Sequence, residues 1–199
     1  MAEKIKFTRP ELKKQRDALA RFQKFLPTLE LKKKQLMLER RRIEKEILDR
    51  QHELDKILAE LSRWIAVFGE DLELERLVAL EKIETTTGNI AGTEIPLFQK
   101  VVFREEAFDP MCYPIWVTRG IDVLKKVLTL RAQIHVLDRQ RTLIQTELTT
   151  TSQRINLFEK VKIPEALGNI RQIKIALGDE EVAAVVRGKI AKGRTVVAA

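Results

Sequence analysis

The sequence predicts an all-α fold: a long antiparallel two-helix coiled coil whose N- and C-terminal helices are joined by a small mixed insert with a short β-hairpin. Apolar residues recur every seven residues in both terminal regions, whereas turn residues interrupt the middle. Charged residues make up 33% of the chain and aromatic residues 6%, which is typical of long helices with solvated faces. We therefore divide the chain into an N-terminal helix (8–68), an insert (69–117), a C-terminal helix (118–178) and a C-terminal extension (179–199).

The N-terminal helix is predicted from a and d positions that persist for about eight heptads, far longer than the helix of a globular core. Thr8 and Glu11 match the Thr-x-x-Glu capping box that starts a helix, with Pro10 in the first turn. Pro27 removes a backbone donor, but the heptad register passes through it unchanged, so we expect one continuous, kinked helix. The predicted seam positions are Leu12, Gln15, Leu19, Phe22, Leu26, Leu29, Lys33, Leu36, Arg40, Ile43, Ile47, Arg50, Leu54, Ile57, Leu61, Trp64 and Phe68.

The C-terminal helix is predicted from a second apolar stripe, in a run that begins near Thr118. The stripe slips in phase around Val161–Pro164, and Gly178-Asp179 either ends the helix or bends it. Neither stripe is stable when exposed to water, so we expect the two helices to pack against each other. The predicted stripe is Val127, Leu130, Ile134, Leu137, Arg141, Ile144, Leu148, Thr151, Ile155 and Phe158, then Leu167, Ile170 and Leu177.

The insert has a different pattern, with turn residues and short apolar stretches in Thr85–Phe103. Ile95–Phe98 and Val101–Phe103 are the expected strands, and Asn89–Pro96 is either a tight turn or a contact surface for a neighbouring subunit. In the tight-turn interpretation, Asn and Gly supply positive φ angles and Pro ends a strand. A long helix is excluded in the insert by Pro96, Pro110 and Pro114. The expected role of Trp64 and Trp116 is core packing.

Motifs for catalysis, nucleotide binding and metal binding are not found in the sequence. No glycine precedes a Lys-Ser or Lys-Thr pair in phosphate-loop spacing, and His52 and His135 lie on separate predicted helices. The acidic pairs Glu105-Glu106 and Glu180-Glu181 are expected to be solvated, and Cys112 is expected to pack in a small core. We therefore predict a non-catalytic protein without cofactor or metal. One cysteine and no long apolar window indicate a reducing, cytoplasmic location without membrane insertion.

The net charge of +8 is unevenly distributed, with +7 in residues 1–56, −5 in 57–120 and +6 in 121–199. Leu29–Ile47 contains three consecutive lysines and three consecutive arginines, which suggests nucleic-acid binding. Consecutive helical residues lie about 100° apart, so each triplet fans around the helix instead of forming one phosphate-facing stripe. The charged seam residues either extend outward from a loosely packed coil or fix its register against acids such as Glu147; these residues are Lys33, Arg40, Arg50 and Arg141.

Three segments of the sequence, in order, resemble the D subunit of A/V-type ATPases, which is the central rotor shaft of those complexes. They are FTRPELKKQRDALARFQKFLPTLELKKKQLMLE at the N-terminus, NIAGTEIPLF in the insert and TSQRINLFEKVKIP in the C-terminal helix. The chain departs from the family at Pro27, where the family helix is unbroken, and in PMCYPIWVTRG, which matches no family pattern.

The resemblance implies a non-catalytic central-stalk rotor subunit that transmits torque between an ATP-hydrolysing or ATP-synthesising hexamer and a membrane ion-translocating ring. Its implied partners are the A and B subunits of the hexamer, the small F subunit of the stalk and the C/d funnel subunit of the ring, with no nucleic acid. Peripheral association with the membrane through this complex is implied as well.

We expect the basic part of the coil to meet acidic groups inside the hexamer, and the insert to contact a neighbouring subunit. The alternatives are a basic nucleic-acid-binding coiled coil and a scaffold or chaperone. The candidate contact residues are Lys32, Lys33, Lys34, Arg40, Arg41, Arg42, Asn89, Ile90, Ala91, Gly92, Ile95 and Pro96.

Overall fold

A computed structural model describes residues 5–62, 78–105, 111, 113–114 and 116–197. Helix α1 (Arg9–Leu61) precedes strands β1 (Val78–Ile90) and β2 (Thr93–Glu105), which form an antiparallel hairpin. Helix α2 (Trp116–Leu157), a π-helical turn (Phe158–Lys162) and helix α3 (Ile163–Val197) follow without interruption. The prediction of two long helical runs with a hairpin between them is confirmed.

The chain divides into two compact units, and each contains a part of both helical runs. The terminal unit comprises Met1–Lys32 and Thr150–Ala199, and the hairpin unit comprises Lys33–Thr149. In the terminal unit Arg9 contacts Glu181 and Phe22 contacts Phe158. The residue number of the contact on the C-terminal helical run therefore falls as the residue number on α1 rises. The paired helices are therefore antiparallel, as predicted.

Helix α1 begins at the predicted cap. The backbone N–H of Glu11 donates to Thr8 Oγ1 at 3.4 Å, which is one half of a capping box. Glu11 does not complete the box but accepts a hydrogen bond from Gln15. The helix continues through Pro27, as predicted. Every predicted seam position from Leu12 to Leu61 is buried or half-buried, so the heptad register is confirmed; Trp64 and Phe68 lie outside the described residues.

The hairpin is longer than predicted, with strands of 13 residues each. The two short predicted strands form a single strand β2, in which Gln99 has no partner across the pair. The connecting turn is Ala91-Gly92, with φ angles of 51° and 80°, as in the two-residue turns that match strand twist. The prediction that Asn89 has a positive φ is wrong, and so is the prediction that Pro96 ends a strand, because Pro96 pairs with Thr87 inside the hairpin.

The hairpin unit has two clusters of buried side chains. One joins both helices to β2, and its buried members are Leu36, Ile43, Ile47, Ile95, Leu137, Ile144 and Leu148. The other lies at the base of the hairpin, where Val78, Val117 and Ile121 are buried and Trp116 packs against them. Core packing of Trp116 is thus confirmed, while Cys112 and Pro110 are outside the described residues.

The phase slip predicted around Val161–Pro164 corresponds to the π-helical turn. The N–H of Ile163 donates to the carbonyl oxygen of Phe158, five residues earlier. In a regular α-helix the ring of Pro164 would collide with the carbonyl of Lys160, and the wider turn accommodates both the proline and one additional residue. The buried residues beyond it, Ala166, Ile170 and Ile173, lie one residue later than an unbroken alternation of three and four would place them.

Two predicted members of the C-terminal stripe are wrong. Arg141 is exposed and pairs with Asp138 at 3.0 Å, while its neighbour Gln140 is buried. Leu167 is 51% exposed because the additional residue of the π-helical turn brings Ala166 into the stripe instead. Gly178-Asp179 does not end the helix, since α3 extends to Val197.

Candidate subunit-contact site

The tip of the hairpin packs against the helices of its own unit. Asn89 Oδ1 accepts a hydrogen bond from the Gly92 N–H at 2.9 Å, which holds the turn closed. Ile90 and Ala91 pack on the buried cluster, and Ile95 is only 2% exposed within it. Of the predicted contact residues in the hairpin, Asn89 and Gly92 are therefore the exposed ones, whereas Ile95 belongs to the core of this chain.

A buried glutamine fixes β2 to helix α2. The Gln140 side chain, 5% exposed, donates from Nε2 to the carbonyl oxygen of Pro96. A paired backbone carbonyl of this kind avoids the cost of a buried acceptor without a donor. The contact places Pro96, a predicted contact residue, against the helix of its own chain.

The basic triplets present a mixture of seam and surface positions. Arg40 is half-buried, donates from Nη1 to Gln145 Oε1 on α2 at 2.9 Å, and lies 3.4 Å from Glu44 through Nε. Lys33 is likewise half-buried, as expected of a seam position. Arg41 and Arg42 are exposed, and Arg42 lies 3.8 Å from Glu39. Arg40 therefore faces the partner helix.

The remaining two triplet residues differ in exposure. Lys34 is exposed, and Lys32, which belongs to the terminal unit, is half-buried. Within the hairpin unit, the structure thus leaves Lys34, Arg41 and Arg42 available on the surface, together with Asn89 and Gly92 of the hairpin.

A cleft of roughly 440 Å³ lies between the hairpin and the two helices of the hairpin unit. Apolar side chains from α1, β1, β2 and α2 form part of its wall, and charged or amide side chains form the rest. Its lining residues are Glu39, Arg42, Ile43, Glu46, Arg50, Ile90, Ile95, Leu97, Phe98, Gln133, Val136, Leu137 and Gln140.

Three glutamines of α2 that sequence reasoning missed shape this region: Gln133, Gln140 and Gln145. The signal for Gln140 was available, because it lies three residues after Leu137 and four before Ile144, a seam spacing equivalent to that of Arg141. A neutral amide is also less costly to bury than a guanidinium. No comparable signal exists for Gln133 and Gln145, since their contacts depend on which residues the fold brings opposite them.

Within residues 5–62, 78–105 and 116–197, no group of three or more His, Cys, Asp or Glu side chains is arranged to hold a metal ion. None of the described helices has a stretch long and apolar enough to cross a membrane.

Comparison with known proteins gives matches over most of this chain. A family model that describes the D subunit of ATP synthase matches residues 11–193. The D subunit of the V-type ATP synthase of Borreliella burgdorferi is 42% identical over 193 residues, covering 97% of this chain and 96% of that protein. The proteins of the same name from Chlamydia pneumoniae and Chlamydia abortus are 28% and 26% identical, each over 96% of this chain and over 93% and 94% of their own lengths.

Proposed function

The chain belongs to the D-subunit family of ATP synthases, and from this premise we propose that it is the non-catalytic central-stalk rotor subunit of a V-type ATP synthase or ATPase. In this role it transmits torque between the ATP-hydrolysing or ATP-synthesising hexamer and the membrane ion-translocating ring. The observation that carries the proposal is the antiparallel pairing of N- and C-terminal helical stretches in a chain matched over residues 11–193.

A rotor must transmit twist between distant sites. Two helices that interlock through a continuous seam resist twisting better than one, and the seam here is buried or half-buried from Leu12 to Leu61. A rotor must also turn without strongly favouring one orientation. Exposed ion pairs contribute only about 0–1 kcal/mol each, so an exposed charged surface suits contacts that are repeatedly broken and replaced.

We infer that the partners are the A and B subunits of the hexamer, the small F subunit of the stalk and the C/d funnel subunit of the membrane ring. Association with the membrane would then be peripheral, on the cytoplasmic side, and mediated by the complex. Because Arg40 faces α2 and Lys33 is half-buried, the basic triplets do not form a single exposed stripe, which argues against nucleic-acid binding.

Co-purification tests the proposal directly. Tagged full-length protein, expressed with the rotary ATPase subunits of its own genome, should enter a complex of fixed stoichiometry that survives moderate salt. A complex with nucleic acid would instead dissociate steeply as salt rises, and a chaperone would retain many proteins in variable amounts. Either of these outcomes, without a stoichiometric ATPase complex, would overturn the proposal.

The lysine triplet Lys32–Lys34 has its own test. Changing Lys32, Lys33 and Lys34 together to Glu should weaken assembly or coupling of hydrolysis to ion transport, because we expect these charges to meet acidic groups of the hexamer. A triple Lys→Gln variant, which removes charge without reversing it, should have a smaller effect. Circular dichroism must show that both variants keep the helical content of the unaltered protein. Unchanged coupling in the Glu variant would refute the electrostatic contact.

A further inference from the structure

The two outer edges of the hairpin differ in how they are protected. At the outer edge of β2, Pro96 has no N–H to offer, its carbonyl oxygen accepts from Gln140, and Gln99 interrupts the pairing as a bulge. Prolines, bulges and covering helices are the features with which proteins close a sheet edge. Along β1, residues 85–90 contain neither a proline nor a charged residue, and their pairing with β2 is regular. Within the described hairpin, the outer edge of β1 is therefore the open one.

The register of the hairpin identifies the backbone groups that face outward from β1. Because the Pro96 carbonyl is directed to Gln140 of α2, the opposed residues Thr87 and Pro96 do not bond to each other. Bonded and non-bonded pairs alternate in an antiparallel ladder, so the N–H and C=O groups of Thr85 and Asn89 point outward as those of Thr87 do. All three residues are exposed, and their backbone groups bond to no described residue outside the hairpin. An additional extended chain can therefore bond to this edge.

The side chains along this edge also suit an additional strand. Thr85, Thr86 and Thr87 are β-branched and exposed, and threonine is among the residues favoured in strands. Natural open edges more often carry a lysine or a proline, which discourages a further strand. The composition of residues 85–90 thus permits strand addition where the composition of β2 opposes it.

Charge and contact area distinguish between two possible occupants of the edge. Two copies of this chain repel each other, since each has a net charge of +8. Pairing along residues 85–90 alone also buries far less than the roughly 1,000 Å² expected of a specific interface between free proteins. A segment of a subunit that is already held elsewhere on this chain does not need that area, because its local concentration is high. These considerations favour a neighbouring subunit over a second copy.

We propose that the outer edge of β1 at residues 85–90 is a docking site for an extended segment of a neighbouring subunit. The segment adds to the hairpin as a third strand and bonds to the outward backbone groups of Thr85, Thr87 and Asn89. It is uncharged and rich in β-branched residues, and it has no proline opposite Thr87, where a donor is needed. The identification of the partner as a subunit rests on the proposed function. Backbone bonding then fixes the register between the hairpin and that subunit.

Amide hydrogen exchange tests the proposal, because strand addition protects alternate residues. The isolated full-length protein is compared with the same chain in the co-purified ATPase complex, and electron-transfer fragmentation resolves single amides. In the complex, the N–H groups of Thr85, Thr87 and Asn89 should exchange at least about tenfold more slowly than in the isolated protein. Those of Thr86 and Gly88, which point towards β2, should change much less.

Three outcomes of this measurement would overturn the proposal. One is unchanged exchange at Thr85, Thr87 and Asn89 in the complex. Another is equal protection of all five amides, since that would show simple covering of the hairpin without strand addition. The third is protection that appears in the isolated protein as its concentration rises, because a second copy would then occupy the edge.

A pair of variants at one position tests the backbone bond itself. Thr87→Pro removes the outward donor without removing a bond within the hairpin, whereas Thr87→Val keeps both the donor and the β-branched shape. Thr87→Pro should increase the rate at which the chain dissociates from the complex at least about threefold, and Thr87→Val should not. Slow exchange at Thr86 and Gly88 in the isolated proline variant verifies that its hairpin is intact. Equal dissociation rates for the two variants would contradict the proposal.

Failure of the docking site is distinguishable from failure of the proposed function. If the chain enters a stoichiometric ATPase complex but the outward amides of β1 remain unprotected, the docking site is refuted and the rotor role stands. If no such complex forms, both are refuted, because the partner of the edge is a subunit of that complex.

Discussion

The two units of the chain use the same heptad pattern but bury it to different extents. In the hairpin unit α2 is buried along its seam, where Gln140 bonds to Pro96 of the hairpin, and also at Val136, which lines the cleft beside the hairpin. In the terminal unit the buried residues of α3 follow a single stripe, and Val161 and Leu167 remain about half exposed. The coiled-coil pattern therefore determines which face of each helix is buried. A third element packed on the helices, here the hairpin, determines how much of the helix surface is buried.

The backbone differs between the units as well. The terminal unit contains both Pro27 within α1 and the π-helical turn next to Pro164. Each interrupts the regular i to i−4 hydrogen bonding of its helix. We therefore expect the hairpin unit to be the more stable of the two, and local opening to be more frequent in the terminal unit.

The largest effect is expected from truncating a side chain in the core that both helices and the hairpin share. Ile144→Ala and Ile173→Ala both remove a fully buried side chain, one from each unit. Each should lower the free energy of unfolding by about 2–5 kcal/mol, with the larger loss for Ile144, since its core also includes a strand. Urea unfolding measures the free energy of unfolding of both variants.

Ile175→Ala is the control. Because its site is 56% exposed, it should change the free energy of unfolding by less than about 0.5 kcal/mol. An equal or larger loss at Ile173 would contradict the ranking of the two units.

The next effect tests the attachment of the hairpin to α2. Gln140→Leu preserves size but leaves the Pro96 carbonyl without its donor, so we expect a loss of about 1–3 kcal/mol in the free energy of unfolding. Hydrogen exchange should then be faster in β2 and unchanged in α3. Arg141→Ala, the exposed neighbour, is the control. If hydrogen exchange in β2 were equally slow in both variants, the hydrogen bond between Gln140 and Pro96 would not be what holds the hairpin to α2.

Two glycines should respond in opposite directions to the same change. Gly92 has a φ of 80° in the hairpin turn, so Gly92→Ala should lower the free energy of unfolding by about 1–2 kcal/mol through backbone strain. Gly188 lies within α3 with open space around it, so Gly188→Ala should favour the helix by about 1 kcal/mol. Thermal unfolding with circular dichroism compares them, and a shift of the same sign for both would contradict this account.

The smallest effect is expected at the surface of the terminal unit. Arg9 and Glu181 are 2.9 Å apart, but their side chains are 77% and 67% exposed. Arg9→Ala should therefore change stability by no more than about 1 kcal/mol, and less at high salt. A double-mutant cycle with Glu181→Ala isolates the pair, and a coupling energy well above this limit would show that the pair is important for holding the helices together.

The sequence alone predicts α1 well and the hairpin poorly, for identifiable reasons. The α1 seam depends only on a repeating period, and that period is unbroken through Pro27. In β2 the unpaired Gln99 and the proline at position 96 disturb the strand pattern, so one strand of 13 residues resembles two short ones.

The errors in the C-terminal stripe have two different origins. Seam spacing alternates between three and four residues, so Gln140 and Arg141 were equally permitted, and the Pro96 carbonyl decides in favour of Gln140. Leu167 was misplaced because the phase slip showed that the register changed but not where the additional residue was accommodated. The cleft was not predictable, since it requires knowledge of which helix residues lie opposite the hairpin.

Rotation is the most direct test of the central claim that this chain transmits torque. Thr86 is exposed on the hairpin, so a Thr86→Cys change, with native Cys112 replaced by Ser, allows a probe to be attached to the chain. With the catalytic subunits of the assembled complex immobilised, addition of ATP should turn the probe continuously in one direction, and rotation should stop when hydrolysis is inhibited. A complex that hydrolyses ATP at its full rate while the probe stays stationary would contradict the account.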